Sequence, residues 1–495
     1  MRGELLAVVA IGLVFVALNV STAMLYPPVT GDEALFADPA VNLATGNGFR
    51  SSVWYTQPYG SVFASNAPLY PLVLSLWMRL TGFTPVAVRA LNYLLMAVAA
   101  SLLWFSVKRT RLIASAGNRL LFLCAILFGE GIAFAYRMGR YDALGLLIMS
   151  MIWAVAVAWP EPWPLRRTVF FLLGWLLLLS GFQCVVFMIL LGTLLWLSTD
   201  SRKVLAAGLP VGIGIACGLV CLYVIYHLAG SQEYFIGSLV RHSKLRWTVS
   251  QRGVAAVMAV REDHSSLLVL LACAVLIFPS GRALRYGHRP VLLALLVLVA
   301  LPALMAFIWS FRDYYSWMKY VPGVVCAVTA LDDRSVEGLQ DRRTRLARAL
   351  VVLACLGFPA RLAIAAVEHE TWDYKNVERF VERNIREGEP AVVTLEAYYP
   401  AKRKACPLYS DLYMGFLKER EKQAVRVIVC RPRRAESIIE NLGGQWSLVA
   451  TYAAPMSLSG SGRLGLRWGW PAYELDVYRR AYGSESSNHA GASPE

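Results

Sequence analysis

Apolar residues run in long, nearly uncharged blocks through the first three quarters of the chain, without strand-like alternation. Blocks near the ~20 residues that carry a helix across a bilayer predict membrane spans. The first runs from Leu5 to Tyr26. Its weakly basic start and lack of a small-residue cleavage site mark an uncleaved span and not a signal peptide. Further spans are predicted at 88–107, 120–136, 143–159, 168–180, 182–197, 204–229, 265–279, 291–310, 314–330 and 349–367, about eleven in all. Between the first two lies a polar-aromatic loop, about 27–68, followed by the apolar segment Leu69–Leu80. That segment is too short to span comfortably and is cut off by Thr81-Gly82 and Pro85, so it reads as an interfacial or re-entrant helix.

From about Glu368 the pattern becomes mixed. Helices are predicted at 374–386 and 434–441, and strands at 391–395, 425–429, 447–451 and 473–478. The expected fold is a polytopic α-helical membrane domain over 1–367, a small soluble α/β domain over 368–482, and a Ser/Gly/Ala-rich disordered tail over 483–495. Tyr398 and Tyr399 read as core residues of the α/β domain, with stacking on sugars as the alternative, and Gly443-Gly444 as a turn. No glycine-rich nucleotide loop is present, so no nucleotide cofactor is expected.

Composition agrees with lipid as the main solvent: 57% of residues are hydrophobic, 16% are charged, and mean hydropathy is +0.50. The net charge of +15 could suggest nucleic acid, but its placement excludes that reading. The clusters Lys108/Arg109/Arg111/Arg119, Arg166/Arg167, Arg202/Lys203, Arg282/Arg285/Arg289 and Arg334/Arg342/Arg343/Arg345/Arg348 fall on alternate loops. The positive-inside rule puts those loops and the N-terminus in the cytoplasm. The loop bearing Asp32, residues 137–142, 231–264 and 312–319 and the whole C-terminal domain then face the periplasmic side of an inner (plasma) membrane.

Of the nine cysteines, Cys124, Cys184, Cys217, Cys221, Cys273, Cys326 and Cys355 fall in or at spans and read as small hydrophobes. Cys406 and Cys430 stand alone in the outer domain and are a candidate disulfide in an oxidising compartment.

Candidate chemistry collects on the outer side. Gly31-Asp32-Glu33-Ala34-Leu35-Phe36-Ala37-Asp38 places three carboxylates at the mouth of a span, where desolvation makes them a functional hypothesis. The plainer alternative is Asp32 as a helix cap with Glu33 solvated beside it. The same side receives Asn66, Arg89, Arg137, Arg140, Asp142, Arg241, Lys244, Arg246, Arg312, Tyr314, Tyr315 and Lys319. Few acids among many cations suit the binding of a phosphate while one base is kept. Against that stand interface anchoring by Arg140 and Tyr141, outward snorkelling by Arg89 at its span's start, and simple solvation of the loop cations.

In order, the motifs are a span, Asp32-Glu33-Ala34, Asn66-Ala67-Pro68-Leu69-Tyr70-Pro71, Arg89 opening a span, Arg140-Tyr141-Asp142-Ala143-Leu144, and Arg312-Asp313-Tyr314-Tyr315 with Pro322. This series resembles the membrane glycosyltransferases of the GT-C fold. The branch concerned holds the protein O-mannosyltransferases and the lipid A aminoarabinose transferase (glycosyltransferase family 39-like). The resemblance extends in layout over roughly the first 370 residues and is specific in about the first 150. It implies a polyprenyl-phosphate sugar donor, Asp32 as the essential acid in a catalytic first outer loop, and Asp142 in support. Glu33, Arg89, Arg140, Arg312, Tyr314 and Tyr315 are then donor or substrate contacts. Where relatives carry a basic residue before Pro-Pro, this chain has Asn66-Ala67, so Arg241, Lys244 and Arg246 become replacement phosphate ligands.

The expected reaction moves a sugar to a hydroxyl of a cell-envelope acceptor (lipid, glycan or protein). Asp32 serves as base and the anomeric centre inverts. Asp32 and Glu33 are the ligands if a divalent cation takes part. The competing classes are a transporter or flippase of lipid-linked sugars, which would place charges inside spans, and a non-catalytic membrane scaffold.

Overall fold

In a computed structural model of the chain, the described residues are 2–29, 31–159, 164–198, 201–243, 250, 263–277, 315–336, 342–455 and 472–481. They divide into two compact units, the first Met1–Arg50 with Tyr59–Glu368, the second Ser51–Pro58 with His369–Glu495.

The first unit is helical. Its elements are α1 (Arg2–Ser21), α2 (Gly31–Ala44), α3 (Leu69–Thr81), α4 (Pro85–Arg109), α5 (Ala116–Phe128), α6 (Glu130–Arg137), α7 (Asp142–Ala158) and α8 (Pro164–Ser180). They continue as α9 (Cys184–Ser198), α10 (Ser201–Leu228), α11 (Gln232–Ser243), α12 (His264–Ile277), α13 (Trp317–Val336) and α14 (Arg342–Val367). Local chemistry sets several starts. Thr84 caps α4 by accepting from the Ala87 N–H at 3.0 Å, with Pro85 in the first turn. Ser115 caps α5 in the same way through Asn118.

Among the described residues four helices are long and apolar enough to cross a membrane, or five if α5 and α6 form one broken span. The apolar side chains Leu6, Leu13 and Val14 of α1 and Leu205, Leu209 and Val220 of α10 point outward, as a lipid-facing surface requires. α4 packs along α7, α8 along α10, and α12 along α14.

The segment 120–136, predicted as one span, bends by 53° between α5 and α6. The cause is close packing at Gly129, where an added Cβ would lie 1.9 Å from the Tyr320 hydroxyl. That hydroxyl donates to the Ala125 carbonyl at 3.1 Å, against the last turn of α5. The predicted span 291–310 lies outside the described residues, and the loop 231–264 opens with α11.

Polar contacts gather at the two ends of the helices. At one end Glu4 pairs with Lys108 at 3.0 Å and Arg119 at 2.6 Å, and Asp332 accepts from the Asn118 amide at 2.8 Å. At the other end Arg137 donates to Tyr26 O at 2.7 Å and to Asn19 Oδ1 at 2.8 Å. It therefore fastens the end of α1 to α6 and is buried, not presented to solvent.

The second unit contains α15 (His369–Trp372), α16 (Tyr374–Asn384), β1 (Ala391–Val393), α17 (Tyr398–Lys404), β2 (Leu408–Ser410), α18 (Glu419–Ala424), β3 (Val427–Cys430), α19 (Pro432–Leu442), β4 (Trp446–Ala453) and β5 (Glu474–Arg480). Its sheet has the order β2-β1-β3-β5-β4. β1 runs parallel to β2 and β3, and the β3–β5 and β5–β4 pairs are antiparallel. β1 and β3 are buried along their whole length, which is why they read as continuous apolar runs. Val392, Ile428 and Cys430 pack with Ala435, Ile438 and Leu442 of α19 and with Tyr409 and Tyr413. Tyr398 and Tyr399 are core residues, as expected.

Residues 51–58 of the loop between α2 and α3 belong to this second unit. The Ser410 hydroxyl donates to Val53 O at 2.9 Å, tying the loop to the end of β2.

The candidate disulfide is corrected by the sheet. Cys406 and Cys430 are free thiols, one exposed and the other buried. Cys406 precedes β2 while Cys430 ends β3, and β1 lies between those strands. Two strand spacings of about 4.8 Å each already exceed the Cα separation of about 7 Å that a disulfide tolerates.

Candidate functional site

Asp32 and Glu33 occupy the first turn of α2, where carboxylates complement the positive end of the helix dipole. Neighbours in a helix point in different directions, and here that separates their surroundings. Glu33 turns inward and is fully buried. It accepts from Arg89 Nε at 3.0 Å and from Nη2 at 2.8 Å, while Arg89 Nη1 donates to Ala23 O at 2.5 Å. Arg89 is itself 0% exposed, so it does not snorkel and Glu33 is not solvated. An ion pair of this kind holds because each partner's charge and donors are satisfied by the other. It locks α2 to the start of α4 and the end of α1.

Asp32, by contrast, stays 38% exposed and pairs with Arg140 Nη1. Arg140 lies in the turn between α6 and α7. The Asn92 amide of α4 holds that turn by donating to Met138 O at 2.7 Å and Arg140 O at 2.8 Å. Gly139 is required beside it, because a Cβ there would come within 2.6 Å of Val88 Cγ1 and 2.8 Å of Glu33 Cγ.

Arg140 Nε donates to Asp142 Oδ2 at 3.0 Å, and the Trp317 indole N–H donates to Asp142 Oδ1 at 3.1 Å. Asp142 is thus wholly buried with both oxygens engaged. The Arg140 guanidinium also lies 5.4 Å from the Tyr141 ring centroid and 5.8 Å from that of Tyr315, a cation–π geometry. Gln183 Nε2 donates to the Tyr315 hydroxyl at 3.0 Å.

The structure therefore brings together Asp32, Arg140, Asp142 and Tyr315, with Glu33–Arg89 as an adjoining buried pair. Other sequence candidates lie elsewhere. Lys319 forms a separate buried pair with Asp263 at 3.1 Å, and Glu130 pairs with Arg361 and with the part-exposed His264. Asn66 is buried and turns back on its own chain, its Oδ1 accepting from Ala67 N at 2.7 Å. Arg241 falls in the last turn of α11. Lys244, Arg246, Arg312 and Tyr314 lie outside the described residues. Among the described residues no group of three or more His, Cys, Asp or Glu is arranged to hold a metal ion.

Sequence reasoning missed Trp317. A buried indole seeks an acceptor for its one N–H, and this one stands two residues after the expected Tyr315. What the arrangement offers chemically is one accessible carboxylate of set orientation, held by a guanidinium that a buried carboxylate fixes in turn.

No protein-family model matches the chain, and no curated protein matches it in sequence. Solved structures do match. ArnT from Cupriavidus metallidurans in the apo state is 13% identical, with 96% of this chain and 98% of that chain covered and a TM-score of 0.58. The same protein bound to undecaprenyl phosphate is 14% identical, with 97% and 98% covered and a TM-score of 0.56. The match runs nearly end to end on both chains. The architecture is the GT-C fold that the motifs imply, a helical domain with a small sheet domain.

Proposed function

We propose that the protein is a membrane glycosyltransferase. It moves a sugar from a polyprenyl-phosphate donor to a hydroxyl of a cell-envelope acceptor. The observation that carries this reading is the Trp317–Asp142–Arg140–Asp32 chain of contacts, which leaves Asp32 as the cluster's one accessible carboxylate. The acceptor oxygen attacks the anomeric carbon and its proton passes to Asp32. The bond from that carbon to the phosphate oxygen breaks, and the polyprenyl phosphate leaves with the electron pair, its charge stabilised by nearby cations. Glu33 and Asp142 are buried in ion pairs, so among the described residues of this cluster no second carboxylate is placed to act as nucleophile. A single displacement with inversion follows.

The same-fold structure bound to undecaprenyl phosphate supports a lipid carrier for the donor. We assign Arg241, Lys244 and Arg246 to the donor phosphate, with Arg312 and Tyr314 as further contacts, because the Asn66 position supplies no charge. About eleven spans would place the N-terminus in the cytoplasm and the second unit in the periplasm. The flippase alternative asks for charges at mid-membrane, whereas the Asp32 cluster gathers at one end of the helices.

The test is transfer of label from polyprenyl-phosphate sugars into envelope fractions by membranes carrying wild type or Asp32→Asn. Loss of roughly 10²–10⁴-fold in rate, the usual worth of a positioned base, is expected with protein level and thermal unfolding unchanged. Equal labelling by both would remove Asp32 from the chemistry and bring the flippase forward.

A further inference from the structure

The sheet of the second unit contains a topological switch point that the transfer chemistry does not use. The chain leaves β1 for β2 on one side and then crosses back to β3 on the other, giving the order β2-β1-β3 in the parallel block. In open α/β sheets, ligands bind in the crevice outside the carboxyl ends of the strands at such a point. Thr394 follows β1 there, Asp411 follows β2, and Arg431 follows β3 and leads directly into α19.

The start of α19 is unusually cationic. The helix has 11 residues, begins at Pro432, and has no side-chain cap on its N-terminus. Arg431, Arg433 and Arg434 surround its first turn. Cations oppose the helix dipole at this end, while an anion is favoured there by the dipole and by the Arg433 N–H. Carboxylates fix two of the guanidiniums along the rim: Arg431 to Glu396 at 2.6 Å and Arg434 to Asp411 at 2.9 Å. Arg433 is exposed.

A second observation points to a ligand. Thr394 is 3% exposed, and its hydroxyl has no hydrogen-bond partner among the described residues. Strand alternation puts its side chain on the face of Val392, the face that α19 covers. It lies one position past the Val393–Val429 pair, its N–H donating to Val429 O, and so is level with Cys430 beside the turn into α19. A buried hydroxyl without a partner is costly, and this one stands at the foot of an uncapped helix.

We infer that this crevice binds a phosphate group. The Thr394 hydroxyl and the Arg433 N–H donate to its oxygens, since Pro432 has no N–H and that of Arg434 is given to Arg431 O at 2.8 Å, and the Arg433 side chain supplies the closing charge. The inference is independent of the transferase reading. The phosphate could be that of a soluble phosphate or of a lipid headgroup, and the chemistry of recognition is the same.

The full-length protein in detergent is titrated with inorganic phosphate by calorimetry. In parallel, phosphatidylcholine nanodiscs with and without phosphatidic acid are analysed by native mass spectrometry for retained lipid. Saturable binding that weakens at least tenfold in Arg433→Glu, with Arg420→Glu on α18 unchanged, is the expected result. Because Arg433 is exposed, that variant keeps its fold, and Thr394→Val tests the hydroxyl at constant shape. Phosphate binding alone identifies a soluble ligand. Phosphatidic acid retained by wild type and lost in Arg433→Glu identifies a headgroup. No saturable binding in either arm, or binding unchanged in both Arg433→Glu and Thr394→Val, overturns the site.

Discussion

Two adjacent carboxylates of like chemistry have opposite surroundings: Glu33 is fully buried and Asp32 is 38% exposed. Glu33 and Arg89 are both 0% exposed, and a buried pair that loses one partner leaves a bare charge away from water. Glu33→Gln is therefore expected to lower stability by about 3–5 kcal/mol, read as thermal unfolding of the purified protein in detergent. Adding Arg89→Met should restore much of that loss; if the double variant is no better than Glu33→Gln, the pair is not what holds α2 to α4. Asp32, at 38% exposure, carries no such burden, so its variant isolates chemistry from folding. The sequence made Asp32, Arg140 and Asp142 legible as a motif. It did not reveal that Asp142 is held by an indole from α13, since Trp317 is 175 positions away along the chain and only packing brings them together.

Among elements, the break between α5 and α6 is the least legible from periodicity. Apolar residues resume on both sides of Gly129-Glu130-Gly131 within 120–136, and that short interruption gives little warning of a 53° bend. The cause is Tyr320 from a distant helix. An added Cβ at Gly129 would also sit 2.6 Å from the Ala125 carbonyl, so rotation of the tyrosine alone cannot make room. Gly129→Ala is expected to cost about 1–3 kcal/mol or more through overpacking. Gly212→Ala in α10, with nothing within 4 Å of the new methyl, should be neutral; equal unfolding temperatures for the two variants would refute the packing account. β2 escaped prediction for a simpler reason: three residues carry no measurable alternation, and β1 beside it supplies the pairing.

For the whole molecule, the division into two units does not follow the chain. Residues 51–58 leave the loop between α2 and α3 to join the second unit through Ser410, so the two units are connected covalently at three places. The state of Cys406 and Cys430 provides a direct check on that second unit. Burial, with the Asp476 and Asp411 charges adding to it, pushes the Cys430 thiol up to about 12. At pH 8 its thiolate fraction is then about 10⁻⁴, whereas Cys406 is exposed. Iodoacetamide followed by peptide mass spectrometry should label Cys406 and spare Cys430 until denaturant is added. A Cys406–Cys430 disulfide in non-reduced digests would contradict the sheet order.

By itself the sequence marked the apolar blocks, the alternation of charged loops and the motif Asp32, Arg140 and Asp142, because helix length, loop charge and motif each constrain residue type locally. Hydrophobic runs also marked the strands β1 and β3. Tertiary structure alone decided which carboxylate stays accessible, which arginine is a bolt and which a clamp, and that Trp317 completes the cluster. It also decided that Cys406 and Cys430 stand two strands apart. These are relations between segments distant in sequence, and burial and pairing exist only once packing has brought such segments together.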